Sequence, residues 1–379
     1  MKFLPLLAAL GMAGHLAAAD QDGFVPLFNG HDLSGWVNAN CAPETWSVKD
    51  GNIHCTGHPT GAMRTLRQYE NFILEVDWRH LSSGGNSGVF IWGTPIAAPG
   101  VPFLRGIEVQ VLDHGYNSPG KNEWYTTHGD VFPIHGAKMK PFGRHNGDRS
   151  FPSSERSKGF PEWNHYRITG SNGVLRLEVN GAEVSGGEDC NYRKGYLALE
   201  SEGAPVEFRN IRIKELPSTG AGPEVTAPLE QGWKPLFTGL DLRGWRTNTG
   251  TANRWSSGGE HLTLRGGTAD PRETLWTGAE FGNAEFVIDC RLTQGNTSTP
   301  IVLVRGREGK GIELPLLGTN SEHSQRFVIR VSAQDAVVTV DGKETGRVAL
   351  PLGTPERGAF GFSDGGAGVE FMNLYVRKL

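Results

Sequence analysis

The stretch Gly23-Phe24-Val25-Pro26-Leu27-Phe28-Asn29-Gly30, followed by Asp32-Leu33-Ser34-Gly35-Trp36, occurs twice. It returns as Gly232-Trp233-Lys234-Pro235-Leu236-Phe237-Thr238-Gly239 and Asp241-Leu242-Arg243-Gly244-Trp245. The correspondence continues. Trp46 answers to Trp255, Arg64-Thr65-Leu66 to Glu273-Thr274-Leu275, Asp77-Trp78-Arg79 to Asp289-Cys290-Arg291, and Glu108 to Glu313. Both copies close alike, on Val206-Glu207-Phe208-Arg209-Asn210-Ile211 and Val369-Glu370-Phe371-Met372-Asn373-Leu374. Self-similarity on this scale means one fold written twice. Pro217-Ser218-Thr219-Gly220-Ala221-Gly222-Pro223 between the copies has linker composition. The chain therefore divides into residues 20–216, a linker at 217–227 and a second unit at 228–379.

Within each copy the local pattern is β. Phe72, Leu74, Val76 and Trp78 alternate with Ile73, Glu75, Asp77 and Arg79, a period of two. Ile107, Val109 and Val111 alternate with Glu108 and Gln110. Asn180-Gly181 and Asp341-Gly342 mark tight hairpins. Glycine, at 53 of 379 residues, is about twice its usual share, which favours short strands and turns over helical bundles. These features predict an all-β chain of two tandem antiparallel β-sandwich domains, each large enough to bury a core.

Charge and hydropathy exclude several classes. The formal charge is −4 and no basic run exceeds a pair, so nucleic acid is not an expected partner. No apolar stretch has transmembrane length. Residues 1–19 read as a signal peptide: Lys2, an apolar run from Phe3 to Ala13, and Ala17-Ala18-Ala19 before Asp20. The expected location is secreted or periplasmic. In that oxidising setting Cys41, Cys55, Cys190 and Cys290 could pair, with connectivity left open.

The copies differ in one place above all. Between Asp113 and Trp163 lie 49 residues, and between their counterparts Gly318 and Ser324 lie 5, so the first copy carries 44 more. The insertion holds Glu123, Trp124, Tyr125, His128, Asp130, His135, Lys138, Arg144, His145 and Arg149. Long loops with such side chains on a rigid sandwich are expected to carry function.

Several of these motifs resemble one family. Phe28-Asn29-Gly30, Leu33-Ser34-Gly35-Trp36, the Asn86-Ser87-Gly88 turn, Glu108-Val109-Gln110-Val111-Leu112-Asp113, Glu162-Trp163-Asn164 and Phe208-Arg209-Asn210-Ile211 are similar to the 3-keto-disaccharide hydrolase domain. The resemblance covers residues 24–216, and the second copy keeps only the framework motifs. It implies a concanavalin-like jelly roll and action on glycosides whose sugar ring carries a carbonyl at carbon 3.

Polar residues present only in the first copy are the better site candidates. Glu108, Gln110 and Asp113 face Glu313, Pro315 and Gly318 in the second copy. Glu108 and Gln110 share one strand face, and Asp113 joins them only if a β-bulge intervenes. This spacing is similar to the catalytic strand of laminarinase-type jelly-roll glycosidases, whose middle residue is acidic. Glutamine there fits a two-carboxylate oxocarbenium mechanism poorly. Glu200 and Glu202, replaced by Ser363 and Gly365, point away from the core. His54 and Arg64, replaced by Thr263 and Glu273, join the set as substrate-binding candidates. Trp92, Trp124, Tyr125 and His128 are further candidates, the aromatic rings for stacking on sugar.

A carbonyl at carbon 3 acidifies the proton on carbon 2 and places the glycosidic bond β to itself. Cleavage then needs a base, an acid for the leaving oxygen and donors for the enolate. Glu108 and Asp113 lead as acid and base, with Gln110 as an oxyanion donor. A divalent cation held by His54, Glu108, Glu200 or Glu202 and a loop histidine is an alternative way to polarise the ketone. The competing reading is a non-catalytic, lectin-like carbohydrate-binding protein. Asp77, Arg79 and Asn210 have counterparts in Asp289, Arg291 and Asn373 and are read as framework. The second copy is expected to lack catalysis.

Overall fold

In the computed structural model residues 19–116, 123–265, 274–363 and 368–379 are described. The apolar leader at 1–18 lies outside them, as do Glu273 and Gly365. The fold is all-β, with two antiparallel sandwiches of jelly-roll type in tandem. In the first, a nine-stranded sheet faces an eight-stranded sheet; in the second, eight strands face five. One short helix, Thr249–Arg254, is capped by Asn248 and Thr251. No helix among the described residues is long and apolar enough to cross a membrane.

Alternation builds the first core. From the nine-stranded sheet, Phe72, Leu74, Val76 and Trp78 turn inward; Val89, Ile91, Ile107, Val109 and Val111 meet them from the other. The odd-numbered residues of Gly106–Leu112 are thus consumed by the core, and Glu108 and Gln110 are left on the sheet's outer face. Asn180-Gly181 and Asp341-Gly342 make two-residue turns with φ of 49° and 84°, and 50° and 74°, the left-handed pairs that type I′ hairpins require. Trp36 and Trp245 repeat one device: each indole N–H donates to a main-chain carbonyl nine residues back, at Leu27 and Leu236.

Two expectations change here. Asn86-Ser87-Gly88 is not a turn but the start of the strand Asn86–Gly93. The four cysteines are buried free thiols rather than disulfides. Burial pushes the Cys55 and Cys190 thiols up to about 11 and about 12. The segment after Pro217 is also tied down: Glu70 accepts from Ser218 and Thr219, and the Asn71 amide donates to the Pro217 carbonyl.

The sandwiches are joined by main chain meeting buried side chains. Arg326 makes a bidentate pair with Asp289 at 2.7 and 2.8 Å and donates to the Ala97 carbonyl at 2.8 Å. Asp289 also accepts from the Gly100 N–H, and the Asn373 amide reaches the Ala98 and Val101 carbonyls. Asp289 is fully buried. Breaking such a pair by deleting one partner strands the other charge. Asp289→Ala should therefore lower unfolding stability by about 3–5 kcal/mol and expose residues 217–233 to protease, as denaturant titration and limited proteolysis would show.

Candidate functional site

The site lies on the outer face of the eight-stranded sheet, where three strands bring carboxyl groups together. Gly106–Leu112, Asn86–Gly93 and Tyr196–Ser201 are neighbours in that sheet. Glu108 pairs with Phe90, Gln110 with Gly88, and Leu199 with Val89, so Gly88 sits between Gln110 and Glu200, with Glu108 reaching over it from the diagonal position. A Cβ on Gly88 would lie 2.9 Å from the Glu200 Oε2 and 3.0 Å from the Glu108 Oε1. The absent side chain is the space both carboxyl groups occupy. In the second sandwich Ile301 stands opposite Pro315, where Gly88 stands opposite Gln110.

The 44-residue insertion covers this face. Its strand Val131–Ile134 pairs with the Glu108 strand, and Arg149–Ser150 pairs beyond it. Arg149 donates from Nη1 to the Gln110 Oε1 at 3.2 Å and to Asp130 at 3.1 Å, and stacks on Phe132. Gln110 passes the chain on, donating to the Asn86 Oδ1 at 2.8 Å, and Asn86 donates to the Glu202 Oε2 at 2.6 Å. Glu108 and Glu200 are 6% and 1% exposed, whereas Glu313 in the second copy is exposed at a sheet edge. The Glu200 Oε2 has no hydrogen-bond partner among the described residues.

Burial and like charge raise all three glutamates. Desolvation first, then Glu202, pushes Glu108 up to about 8, against the opposing pull of Arg149. Desolvation, Glu108 and Glu202 raise Glu200 well above the usual carboxylate range. Desolvation, then Glu260, raises Glu202 to about 7. Glu260 belongs to the second sandwich and accepts from the Thr60 N–H at 2.8 Å. Continuing the pairing of Ser201 with Gly61 puts Glu202 opposite Thr60, so the second sandwich adds a carboxylate at the end of the row. Near neutral pH the cluster holds protons, and acid and base can coexist within it.

A cleft of about 500 Å³ opens beside the row, lined by His114, Tyr116, Tyr125, Thr126, His128 and Glu155. Desolvation and then the Glu202 charge raise the Tyr116 phenol. The His128 and His114 rings meet at 4.6 Å, tilted by 58°, and both reach the Ser157 hydroxyl at 3.0 Å. Trp124 is 62% exposed. Of the expected set, the structure gathers Glu108, Gln110, Glu200 and Glu202 on one face, with Tyr125 and His128 at the adjoining cleft.

The remaining candidates are elsewhere. No bulge interrupts the pairing from Ile107 to Leu112, so Asp113 does not turn onto the Glu108 face. It clips loops instead, accepting from the Gly84, Gly115 and Phe160 N–H groups. Burial alone would raise its carboxyl, but those donors hold it below its usual value. His54 lies on the strand Asn52–Cys55 of the opposite sheet, beside Glu207, and cannot share a ligand with Glu108. Arg64 is buried by structural bonds to the Pro95 and Thr65 carbonyls and to Glu230 of the inter-sandwich segment. Trp92 is fully buried, its indole N–H on the Glu70 carbonyl. Gln110 spends both amide protons on Asn86 and the Ser87 carbonyl, so it positions Asn86 rather than serving as a free oxyanion donor. Among the described residues, no group of three or more His, Cys, Asp and Glu is placed to hold a metal ion. Asn86 and Gly88 are site residues that turn-like composition hides; the available signal was the continuous apolar run Val89-Phe90-Ile91-Trp92 directly after the glycine.

This is a jelly-roll sandwich whose outer face carries a buried carboxylate row under a long insertion. The chain belongs to the family of the 3-keto-alpha-glucoside-1,2-lyase-like domain, which it matches over residues 23–214. It is 24% identical over 237 residues to the 3-keto-disaccharide hydrolase of Bacteroides thetaiotaomicron, across 52% of this chain and 80% of that protein. A crystal structure of a candidate glycosyl hydrolase from Parabacteroides distasonis is 23% identical and aligns with a TM-score of 0.38, covering 52% of this chain and 95% of that one. The carbohydrate-binding module CBM66 of Bacillus subtilis aligns at 14% identity and a TM-score of 0.35, covering 48% and 96%.

The raised carboxyl groups tie stability to pH. Glu108 takes up its proton near pH 8 in the folded chain but near the usual 4.5 when unfolded. Between those values the folded state binds more protons, so stability is greatest below about 4.5 for this group and is lost as pH rises through about 8. Glu108→Gln and Glu200→Gln should each raise the thermal midpoint by a few degrees in alkaline buffer and change it little in acid, read by calorimetry across pH.

Proposed function

We propose that the chain is a carbohydrate-acting enzyme that cleaves glycosides bearing a carbonyl at carbon 3 of the sugar ring. The observation that carries this reading is the row of Glu108, Glu200 and Glu202 with raised proton affinities beside an open cleft, in a member of this family. Glu202, at the cleft end of the row and held by Asn86, takes the proton from carbon 2. The electron pair moves toward the ketone oxygen, and the positive charge of Arg149 favours the enolate. The bond from carbon 1 to the leaving oxygen then breaks, and the protonated Glu108 supplies that oxygen with its proton. Water adding across the resulting carbon–carbon double bond, hydroxyl to carbon 1 and proton to carbon 2, completes a net hydrolysis.

The scheme fixes a pH profile. Glu202 must be deprotonated and Glu108 protonated, so kcat/KM should rise through about pH 7 and fall above about pH 8. With 3-keto-trehalose or a 3-keto-glucoside, the protein should release free sugar, followed by chromatography. Glu108→Gln and Glu202→Gln should each lower kcat/KM by roughly 10²–10⁴-fold while sparing ligand binding. Glycan binding without turnover of any keto-sugar would instead identify a lectin.

A further inference from the structure

The same groove is built into both sandwiches, and only one copy is filled. In each, an aspartate on the central strand, half-buried Asp77 or fully buried Asp289, accepts at 2.7 Å from the amide of an asparagine in left-handed conformation, Asn210 (φ 51°) or Asn373 (φ 49°). A basic side chain on the next strand joins the set, His165 at 2.8 Å from Asp77 and Arg326 at 2.7 Å from Asp289, and Asp77 also takes Arg209 at 3.4 Å, where the second copy has Met372. Phe28 and Gly30 line the first groove where Phe237 and Gly239 line the second. Asp77 and Arg79 do not pair with each other, since Arg79 binds Glu207. The conserved polar set is the one centred on Asp77.

In the second sandwich the groove is packed with first-sandwich segments, and about 10 Å³ remains. Residues 97–101 lie over its aspartate. Tyr375 Oη accepts from the Ala97 N–H at 3.2 Å, Arg326 donates to the Ala97 carbonyl at 2.8 Å, and Asp289 accepts from the Gly100 N–H at 2.8 Å. Asn373 donates to the Ala98 and Val101 carbonyls at 3.1 and 2.8 Å. Every one of these bonds reads main chain. The groove therefore selects a bent loop of small residues, and Gly100 (φ 73°) has no room for a Cβ against Ser324.

The corresponding groove of the first sandwich is an open cleft of about 520 Å³. Among the described residues no equivalent loop is free to fill it. In the second sandwich Ile301–Arg307 and Lys310–Pro315 are joined by the two-residue turn Glu308-Gly309. The loop at 97–101 is already engaged.

We propose that the Asp77–Asn210–His165 groove is a docking site for a rim loop of a separate polypeptide, bent and built of small residues like 97–101, whose main chain it grips as Asp289, Asn373 and Arg326 grip theirs. Arg212 stands where the second copy has Tyr375 and is paired with Glu75 at 2.6 Å, which suits a partner loop with more polar flanks. This docking is independent of the sugar chemistry, because the groove lies on the sheet opposite Glu108.

The test uses the full chain labelled at histidine and, as probe, a disulfide-closed peptide carrying residues 94–104, preorganised to limit the entropy of ordering. Saturable movement of the His165 ring signals is expected, with binding about tenfold weaker in Asn210→Gly. That variant keeps the left-handed backbone and removes only the amide. No movement at His165 with millimolar peptide, or equal affinity for Asn210→Gly, would overturn the proposal. So would a sugar that displaces the peptide from His165, or self-association of the chain through this groove without added loop.

Discussion

A missing side chain at position 88 governs the site. Two glutamates on strands either side of Gly88 lean into the space its Cβ would take, and neither could hold its place beside a larger residue. Carboxyl groups brought this close and stripped of water cannot all ionise, since burial and mutual repulsion both favour the proton. The insertion extends the sheet beside Glu108 with Val131–Ile134. It also brings Arg149, which opposes the rise in Glu108 without cancelling it. The second copy has the same sheet with Ile301 in the glycine's place and no insertion, and its surviving Glu313 is exposed at the edge.

The second sandwich has a structural part in this arrangement. Its buried Asp289 and Asn373, with half-buried Arg326, hold the loop between the Asn86 and Gly106 strands, the same strands that carry the site. Its Glu260 fixes Thr60 and bears on Glu202. The second sandwich thus contributes a wall and a charge to the carboxylate row of the first. Arg64 works to the same end from the first sandwich, pinning Glu230 of the connecting segment.

What the sequence could tell follows the physics of each signal. Period-two alternation assigns a residue to the inside or outside of its own sheet, so Glu108, Gln110, Glu200 and Glu202 were legible as outward-facing, and comparison of the copies separated Gln110, Glu200 and Glu202, though not Glu108, from framework. Alternation says nothing about which sheet a strand joins. His54 has the same outward reading as Glu200 but lies on the opposite sheet. Asp113 depended on a bulge that the pairing does not contain. Arg64 stood out by its exchange for Glu273 and Trp92 by a ring suited to stacking on sugar, yet both are held inside by structural bonds, Arg64 to the Pro95 carbonyl and Glu230 and Trp92 to the Glu70 carbonyl. Arg149 and Asp130 could be seen in the insertion, but their role depends on long-range pairing that no local pattern encodes.

The central claim is that Glu108, Glu200 and Glu202 share protons at neutral pH because the fold crowds and buries them. Carbon-13 detected titration of the three side-chain carboxyl groups in the intact protein measures this directly. The account predicts that Glu200 stays protonated at pH 7, that Glu202 titrates near 7 and Glu108 near 8, and that Gly88→Ala disturbs all three. Three independent titrations near the ordinary carboxylate value, unaffected by an added methyl at position 88, would contradict it.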